Sequence, residues 1–279
     1  MIIDNSEGLL HLENGNRFLG TPPKLIDSTI EFIGSDNILY CEPGVVLNHS
    51  LVRFHGDRGV VVLGENRFEY KIWIPLFSDC VCFFGRNNYM NGTLNIVLSE
   101  RKHFFAGRDG LYSIGFWARN SDPHLIYSIK TKRRLNPSKS IFIGDHVWIG
   151  QSAMLLKGAK IDSGSIVGAK ALVSGKHIPH NTVWAGNPAR QIESDIFWDT
   201  TSVNRWTSEM TEACETYDGL LKRYPEKKPD EAIFRYERDA CISFEAMDDL
   251  FDRGTADEKV AYLKKLLTDE AKNRFVHTK

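Results

Sequence analysis

The sequence predicts a mainly β protein, a β-helix of stacked parallel coils, with an α-helical appendage at its C-terminal end. Three observations lead there. Apolar residues recur at every sixth position through Ile143, Ile149, Leu155, Ile161, Val167 and Val173, with small or β-branched residues fifth in each hexad, at Val147, Ala153, Ala159, Ser165 and Ala171. Residues 120–140 then break this pattern, and beyond Ile192 glycine gives way to charge at helical spacing. A period of six fits neither an amphipathic helix nor a simple alternating strand, so it is a repeat signal. Each hexad makes a short strand and a tight corner, with the apolar residue pointing to the coil axis. Stacking buries a column that no single coil buries alone. Gly144, Gly150 and Gly168 follow three of the apolar positions, where glycine admits corner conformations that a β-carbon disfavours.

Residues 1–24 are weakly patterned and hold the punctuator Pro22-Pro23. Hexads appear at Ile33, Leu39, Val45 and Leu51, so coiling is expected from residue 25 onward. From 52 to 104 the phase is imperfect. Val60-Val61-Val62-Leu63 and Val81-Cys82-Phe83-Phe84 read as buried strands closed by Gly64 and Gly85. Bulky Phe and Tyr replace the small residues there, which predicts irregular coils. Phase returns at Phe105, Leu111 and Trp117. Residues 120–140 hold two prolines and a basic run, and read as a loop extruded from the coils; long loops in compact folds are usually functional or disordered. The predicted division is a β-helix over 1–192 and a helical region over 193–279.

Within the second region, Trp206, Met210, Ala213, Tyr217, Leu220 and Tyr224 follow a three-and-four spacing, which predicts one helix with one buried face. Pro225 and Pro229 end it. Ser243 caps a short helix with Phe244, Met247, Leu250 and Phe251 inward. Thr255 and Glu258 form a capping-box pattern that opens a helix carrying Val260, Leu263, Leu267 and Phe275 on one face.

Length and composition set the class. At 279 residues, the prior is one large domain or two unequal ones, with a sizeable core. A net charge of −1 gives no field for nucleic acid or an acidic membrane. The five cysteines make an odd count, and Cys80 and Cys82 alone are close; C-x-C by itself is a weak metal signal, so no metal is expected. Reduced thiols fit a cytoplasmic protein. The opening MIIDNSEGLL does not read as a signal peptide, and no run reaches the ~20 apolar residues of a membrane span.

The phrases IGDHVWIG (143–150), VGAKALVSGKHIP (167–179) and AGNPARQI (185–192) resemble the hexapeptide-repeat acyltransferases. That resemblance implies a left-handed parallel β-helix; periodicity does not give the hand, and right-handed crossovers are the general rule. It also implies acetyl-CoA as acyl donor and a homotrimer with sites between subunits. VSGKHIP reads as one residue longer than the usual form of that turn, which bears on the role of Lys176.

Moving an acyl group from a thioester to a hydroxyl needs a base, donors for the developing oxyanion and a groove for the thiol cofactor. Histidine serves as base because its ordinary pKa lies near neutrality. Among nine histidines, His124 stands in Asn-Ser-Asp-Pro-His on the extruded loop. This resembles the S-D-x-H segment of polysaccharide and sugar O-acetyltransferases in the family, which implies that His124 is the general base. Asp122 either orients the imidazole or bonds local backbone. The resemblance places the donor's pantetheine between coils near Gly168, Ala169 and Ala185, with Lys170, Lys176 and Arg190 available to its phosphates. Trp148 and Trp184, read as outward-facing, line the acyl or acceptor cleft or pack between subunits, and His146 is a second, weaker candidate. Lys130, Lys132, Arg133 and Arg134 beside His124 attract a polyanionic glycan or form a solvated face.

The function expected is therefore O-acetylation of a hydroxyl on a surface or capsular polysaccharide or related sugar, by direct transfer. No cysteine or serine sits in an activating setting that would imply an acyl-enzyme. One alternative is an N-acetyltransferase on a nucleotide-linked amino sugar, although no G-x-G-x-x-G follows an opening strand. A β-helix carbonic anhydrase needs three histidines around one metal, and these lack the spacing. The non-enzyme alternative is a structural or glycan-binding β-helix.

Overall fold

The computed structural model of the chain describes residues 1–227, 241–271 and 273–275. Short parallel strands stack into three faces of a prism. The first face runs from Thr29–Phe32 through Leu51–Phe54, Ile72–Leu76, Leu94–Val97, Trp117–Arg119 and Met154–Leu156 to Leu172–Val173. The second runs from Arg17–Gly20 through Ile38–Cys41, Val60–Leu63, Val81–Phe84, Phe104–Ala106, Ile141–Ile143 and Lys160–Ile161 to His177–Ile178. The third runs from Tyr89–Met90 through Leu111–Tyr112, Trp148–Ile149 and Ile166–Val167 to Val183–Ala185. In each later coil the chain visits the second, third and first face in that order. An antiparallel strand closes an edge at each end: Ile2–Ile3 on the first face, Arg190–Glu193 on the third. Covered edges have no open ladder on which another chain can pair.

The prism has two widths. Leu39 stands beside Val61 and Cys82 beside Phe104, so an early coil consumes about 22 residues. Ile143 stands beside Ile161 and Leu155 beside Val173, so a late coil consumes 18. Early strands on the first and second faces are mostly three to five residues long and turn two side chains inward, as Val52 and Phe54 do, because side chains alternate along a strand. The wider interior needs large side chains, and Phe54, Tyr70, Phe84, Phe104, Tyr112 and Phe116 are fully buried there. The Phe32 and Phe54 rings stack at 4.6 Å. Late coils turn one large aliphatic residue inward per face, Ile143 to Val173, and the interior is completed by small residues two positions earlier, as at Ala153, Ala159 and Ala171.

This geometry corrects several sequence expectations. Coiling begins at Arg17–Gly20, ahead of residue 25. Ile33 is exposed, Leu51 is half-buried, and Phe105, Leu111 and Trp117 face outward; the inward column is one residue later, at Ala106, Tyr112 and Ala118, beside Ile143, Ile149 and Leu155. Gly144, Gly150 and Gly168 do not hold the left-handed corner positions. His146, Ser152 and Lys170, two residues further on, do so at φ near +55°. The three glycines are needed for space: a Cβ on Gly150 would lie 2.6 Å from the Ala169 nitrogen of the next coil. In VSGKHIP the inward positions Val173 and Ile178 are five apart, so this corner is one residue short of the chain's own period.

The helical residues divide in two. Residues 206–224 form two short helices, α1 (Ser208–Ala213) capped by Thr207 and α2 (Tyr217–Arg223) capped by Thr216. The expected single face is interrupted by the second cap, and of its residues Leu220 alone is buried. Pro229 lies outside the described residues. Helix α3 (Phe244–Arg253) is capped by Ser243 as predicted, and α4 (Ala256–Thr268) carries the predicted Thr255–Glu258 capping box. Helix α4 ends before Phe275, which returns in an extended tail and is fully buried.

Helices α3 and α4 lie on the outer side of the second face, where Phe244, Met247, Phe251, Val260, Leu263 and Leu267 pack against Val60, Val62, Val81, Phe83, Phe105 and Phe142. That explains why Val60–Leu63 and Val81–Phe84 are buried on both sides. Gly64 lets α4 approach, since a Cβ there would lie 2.8 Å from Leu267 Cδ2. The tail is stitched to the coils by a buried ion pair. Arg274 Nε and a second guanidinium nitrogen donate to the two Asp145 oxygens, each at 2.9 Å. The Ser163 N–H donates to the Phe275 carbonyl.

Candidate active site

The extruded loop leaves the first face after Arg119 and rejoins the second at Ile141, as predicted. It emerges where the wide coils give way to narrow ones, and is tied to both. Arg134 pairs with Glu100 on the wide side at 2.9 Å. Asp122 pairs with Lys157, on the corner of the first narrow coil. The loop's middle folds back on itself: Leu135 N donates to Ile126 O at 2.8 Å, and Ser128 N to Arg133 O at 2.9 Å.

His124 is exposed, and among the described residues its imidazole has no hydrogen-bond partner. Its backbone is held, because Asn136 Nδ2 donates to the His124 carbonyl at 2.8 Å. Asp122 does not orient the ring. Its carboxylate accepts from Lys157 Nζ and from Asn136 Nδ2, and the Lys157 ammonium followed by the Asn136 amide holds it below its ordinary pKa. Arg133 is exposed, whereas Arg134 is engaged by Glu100 and Asn136. The loop also exposes Leu125, Ile126, Tyr127, Leu135 and, most of all, Ile129 at 87%.

The predicted donor residues divide between two corners. Gly168, Ala169 and Lys170 turn the chain from the third face to the first, and Ala185 lies in the coil above; Gly168 N donates to Trp184 O at 2.7 Å. A Cβ on Gly168 would come within 2.9 Å of the Ala185 methyl, so small residues are required at this step. Ala169 and Lys170 are exposed. Arg190 pairs in register with Ala185 and is exposed at the end of the prism. Lys176 stands elsewhere, on the corner from first face to second, the corner that also bears the His124 loop.

The two tryptophans also part. Trp148 points outward on the third face, 38% exposed, in register with Leu111 below and Ile166 above. Trp184 is beside Val167 and packs against the central column, closing its end. Its outward placement is therefore overturned: Trp184 lies in the inward hexad column, six residues after Ile178. Its buried Nε1 has no hydrogen-bond partner.

Trp148 borders a cavity of about 910 Å³ on the third face, lined also by Arg67, Tyr89, Asn91, Arg108 and Trp198. The segment after the last coil forms one wall. Trp198 lies flat on His146, with ring centroids 4.0 Å apart, and its Nε1 donates to the His146 carbonyl at 3.0 Å. His146, the second candidate base, is thus engaged in holding this wall. The third face is opposite the corner that bears His124, so one chain does not bring Trp148 and His124 together.

Elsewhere, His103, Asp248 and Asp252 converge under α3. Lys102 Nζ pairs with Asp252 and stands 3.8 Å from Asp248, so an ammonium already fills the place a cation would take.

Comparison with known proteins decides the family. No family model matches the chain. The polySia-specific acetyltransferase NeuO superposes with a TM-score of 0.61 and 26% identity, over 76% of this chain and 95% of that one. A protein of Escherichia coli K12, named for O-acetyl transfer in lipopolysaccharide biosynthesis, is 33% identical over 145 residues, 48% of this chain and 72% of the relative. The chain belongs to the hexapeptide-repeat acyltransferases. A polysialic acid O-acetyltransferase of Neisseria meningitidis is 29% identical over 126 residues, 45% of this chain and 58% of that protein. A second, from Escherichia coli, is matched over 40% of its length.

Sequence reading of this hexapeptide-repeat acyltransferase missed Asn136, Lys157 and Trp198. Asn136 and Lys157 act through contacts across the loop and between coils, which no local pattern signals. Trp198 gave a signal, an isolated aromatic cluster Phe197-Trp198 just past the last coil.

Proposed function

We propose that this chain is an acetyl-CoA-dependent O-acetyltransferase acting on a hydroxyl of a surface or capsular polysaccharide, with His124 as general base. The observation that carries the reading is the state of His124: an exposed, unpartnered imidazole on a loop whose backbone is fixed at that residue. The names of the relatives, two of them polysialic acid O-acetyltransferases, support a glycan acceptor and O-acetyl transfer. The small-residue step at Gly168, Ala169 and Ala185, exposed at Ala169 and half-buried at the other two, fits a thiol arm lying against backbone, with Lys170 and Arg190 near its phosphates.

In this reaction the acceptor oxygen attacks the thioester carbonyl while His124 takes the hydroxyl proton. The new C–O bond replaces the C–S bond, and the proton passes to the departing sulfur. The cavity beside Trp148 holds the acceptor, with Tyr89 and Trp148 as platforms for sugar faces and Arg67 for a carboxylate; Arg133 extends the positive charge beside the base. Because Trp148 and His124 lie on opposite parts of one prism, the working site joins two copies in a homotrimer, with one chain's loop reaching a neighbour's third face. The five exposed apolar side chains of the loop favour that seat. Acceptor modification takes place in the cytoplasm; among the described residues no helix is long and apolar enough to cross a membrane.

The test is acetyl-CoA turnover with capsular polysaccharides, including polysialic acid, followed by thiol release and NMR of the product. His124→Ala is expected to lower turnover by about 10²–10⁴-fold, the usual worth of a general base, with acetyl-CoA affinity kept. Wild-type turnover in that variant, or a monomer by light scattering in active enzyme, overturns the reading.

A further inference from the structure

Residues 120–140 form a long excursion, yet the chain on either side of His124 is pinned by one side chain. Asn136 is 5% exposed, and its amide is fully engaged. Nδ2 donates to Asp122 Oδ2 at 2.9 Å and to the His124 carbonyl at 2.8 Å. Oδ1 accepts from the Ile126 N–H at 2.9 Å and from Arg134 Nε at 3.3 Å. The Asn136 carbonyl accepts from a further Arg134 nitrogen at 3.1 Å. One amide thus grips residues 122, 124 and 126, alternate positions along a single segment. A carboxamide is suited to this, since it offers two donors and an acceptor in one plane.

We infer that Asn136 is a positioning residue for the proposed acetyl transfer, presenting the His124 imidazole by fixing the backbone at 124 and 126 and bonding the carboxylate of Asp122. The inference rests on the general-base reading of His124. Asp122 then acts at one remove. Its carboxylate, anchored by Lys157, holds the Asn136 amide in place, and the amide holds residue 124. The imidazole is left without a partner and free to meet the acceptor hydroxyl. Leaving a buried amide's partners unsatisfied is costly, so the clamp resists loss of any one bond.

The test is a double-mutant cycle between Asn136→Ala and His124→Ala, using acetyl-CoA and a polysaccharide that the wild-type enzyme modifies. Displacing a catalytic group by about 1 Å costs up to ~10²-fold, so Asn136→Ala is expected to lower kcat by about ten- to a hundredfold with KM for acetyl-CoA unchanged. In the His124→Ala background the same substitution should lower the residual rate no further, because groups acting as a unit are non-additive. Asn136→Asp keeps an acceptor for Ile126 N–H, loses both donated bonds and sets a carboxylate against Asp122, so it should be as slow as Asn136→Ala. A merely structural role predicts an equal loss in both backgrounds, and that result overturns the inference. So does wild-type kcat in Asn136→Ala while His124→Ala is inactive, which leaves the base reading standing. Wild-type turnover in His124→Ala removes both.

Discussion

The wide and narrow halves of the prism use the same parallel ladder and fill it differently. In the wide half two inward residues per strand on two faces enclose an interior that stacked aromatic rings occupy. In the narrow half one aliphatic residue per face, with alanine at Ala153, Ala159 and Ala171, suffices. Width is set by strand length, and side-chain volume follows because interiors close-pack. The step between the two is where the chain leaves the prism to form the His124 loop. A loop rooted there has a wide corner at Glu100 on one side and a narrow corner at Lys157 on the other to grip.

The largest expected effect tests whether the narrow half leans on the tail. Arg274→Ala strands the Asp145 carboxylate in the interior, and breaking such a pair costs about 3–5 kcal/mol. In denaturant the midpoint should fall accordingly, and amide exchange should quicken over 141–178 before it does over 60–84. Equal loss of protection in both halves would contradict the division. A smaller effect tests width itself. Ala159→Leu adds three carbons to a coil with one inward residue per face and should cost about 1–3 kcal/mol by overpacking, read as a lower thermal midpoint. A neutral result would mean that the narrow coils have room to spare.

The smallest effect concerns the covered second face. His103 and Lys102 hold the Asp252 carboxyl down to about 2. Burial pushes Glu245 up, but Lys160 and the backbone at the start of α3 outweigh it and bring it to about 2. Burial lowers the His103 pKa, against the opposing pull of Asp252. The two carboxylates bind protons more weakly in the folded state, so their contribution is full above the unfolded values near 4 and is lost as pH falls toward about 2. His103 adds a loss in the same direction, beginning below its unfolded value near 6.5. Acid should therefore loosen α3 and α4 from the second face first, seen as dye binding to exposed apolar surface while the coils keep their β circular dichroism. Release of the helices as pH rises from neutrality would reverse the sign and refute the assignment.

The same contrast explains what the sequence disclosed. In the narrow half each hexad has one inward residue, so Ile143 to Val173 read directly as a column. In the wide half two inward residues per strand and a longer coil mask the period, and bulky outward residues such as Phe105 and Trp117 took the place of the inward Ala106 and Ala118. Strict use of the hexad would have assigned Trp184 to the column and Trp148 to the surface, since Trp148 precedes the inward Ile149 by one. The extruded loop that carries His124 was legible because a break in a strong repeat is conspicuous. Asn136 was not, because its partners are backbone atoms and a carboxylate that only the folded loop brings together.

The pairing of Asp145 with Arg274 has a consequence for how the protein is made. Asp145 emerges from the ribosome 129 residues before its partner. At about 5–20 residues per second that is an interval of roughly 6 to 26 seconds. Throughout it, the corner at Asp145 lacks the Arg274 guanidinium, and for most of it the second face has no helices over Val81, Phe83 and Phe105, because α3 and α4 follow late in the chain. The nascent solenoid must wait with this apolar wall open to water, a state in which a chaperone has something to bind, and a ribosome stalled short of residue 244 leaves a product without the helices that cover it.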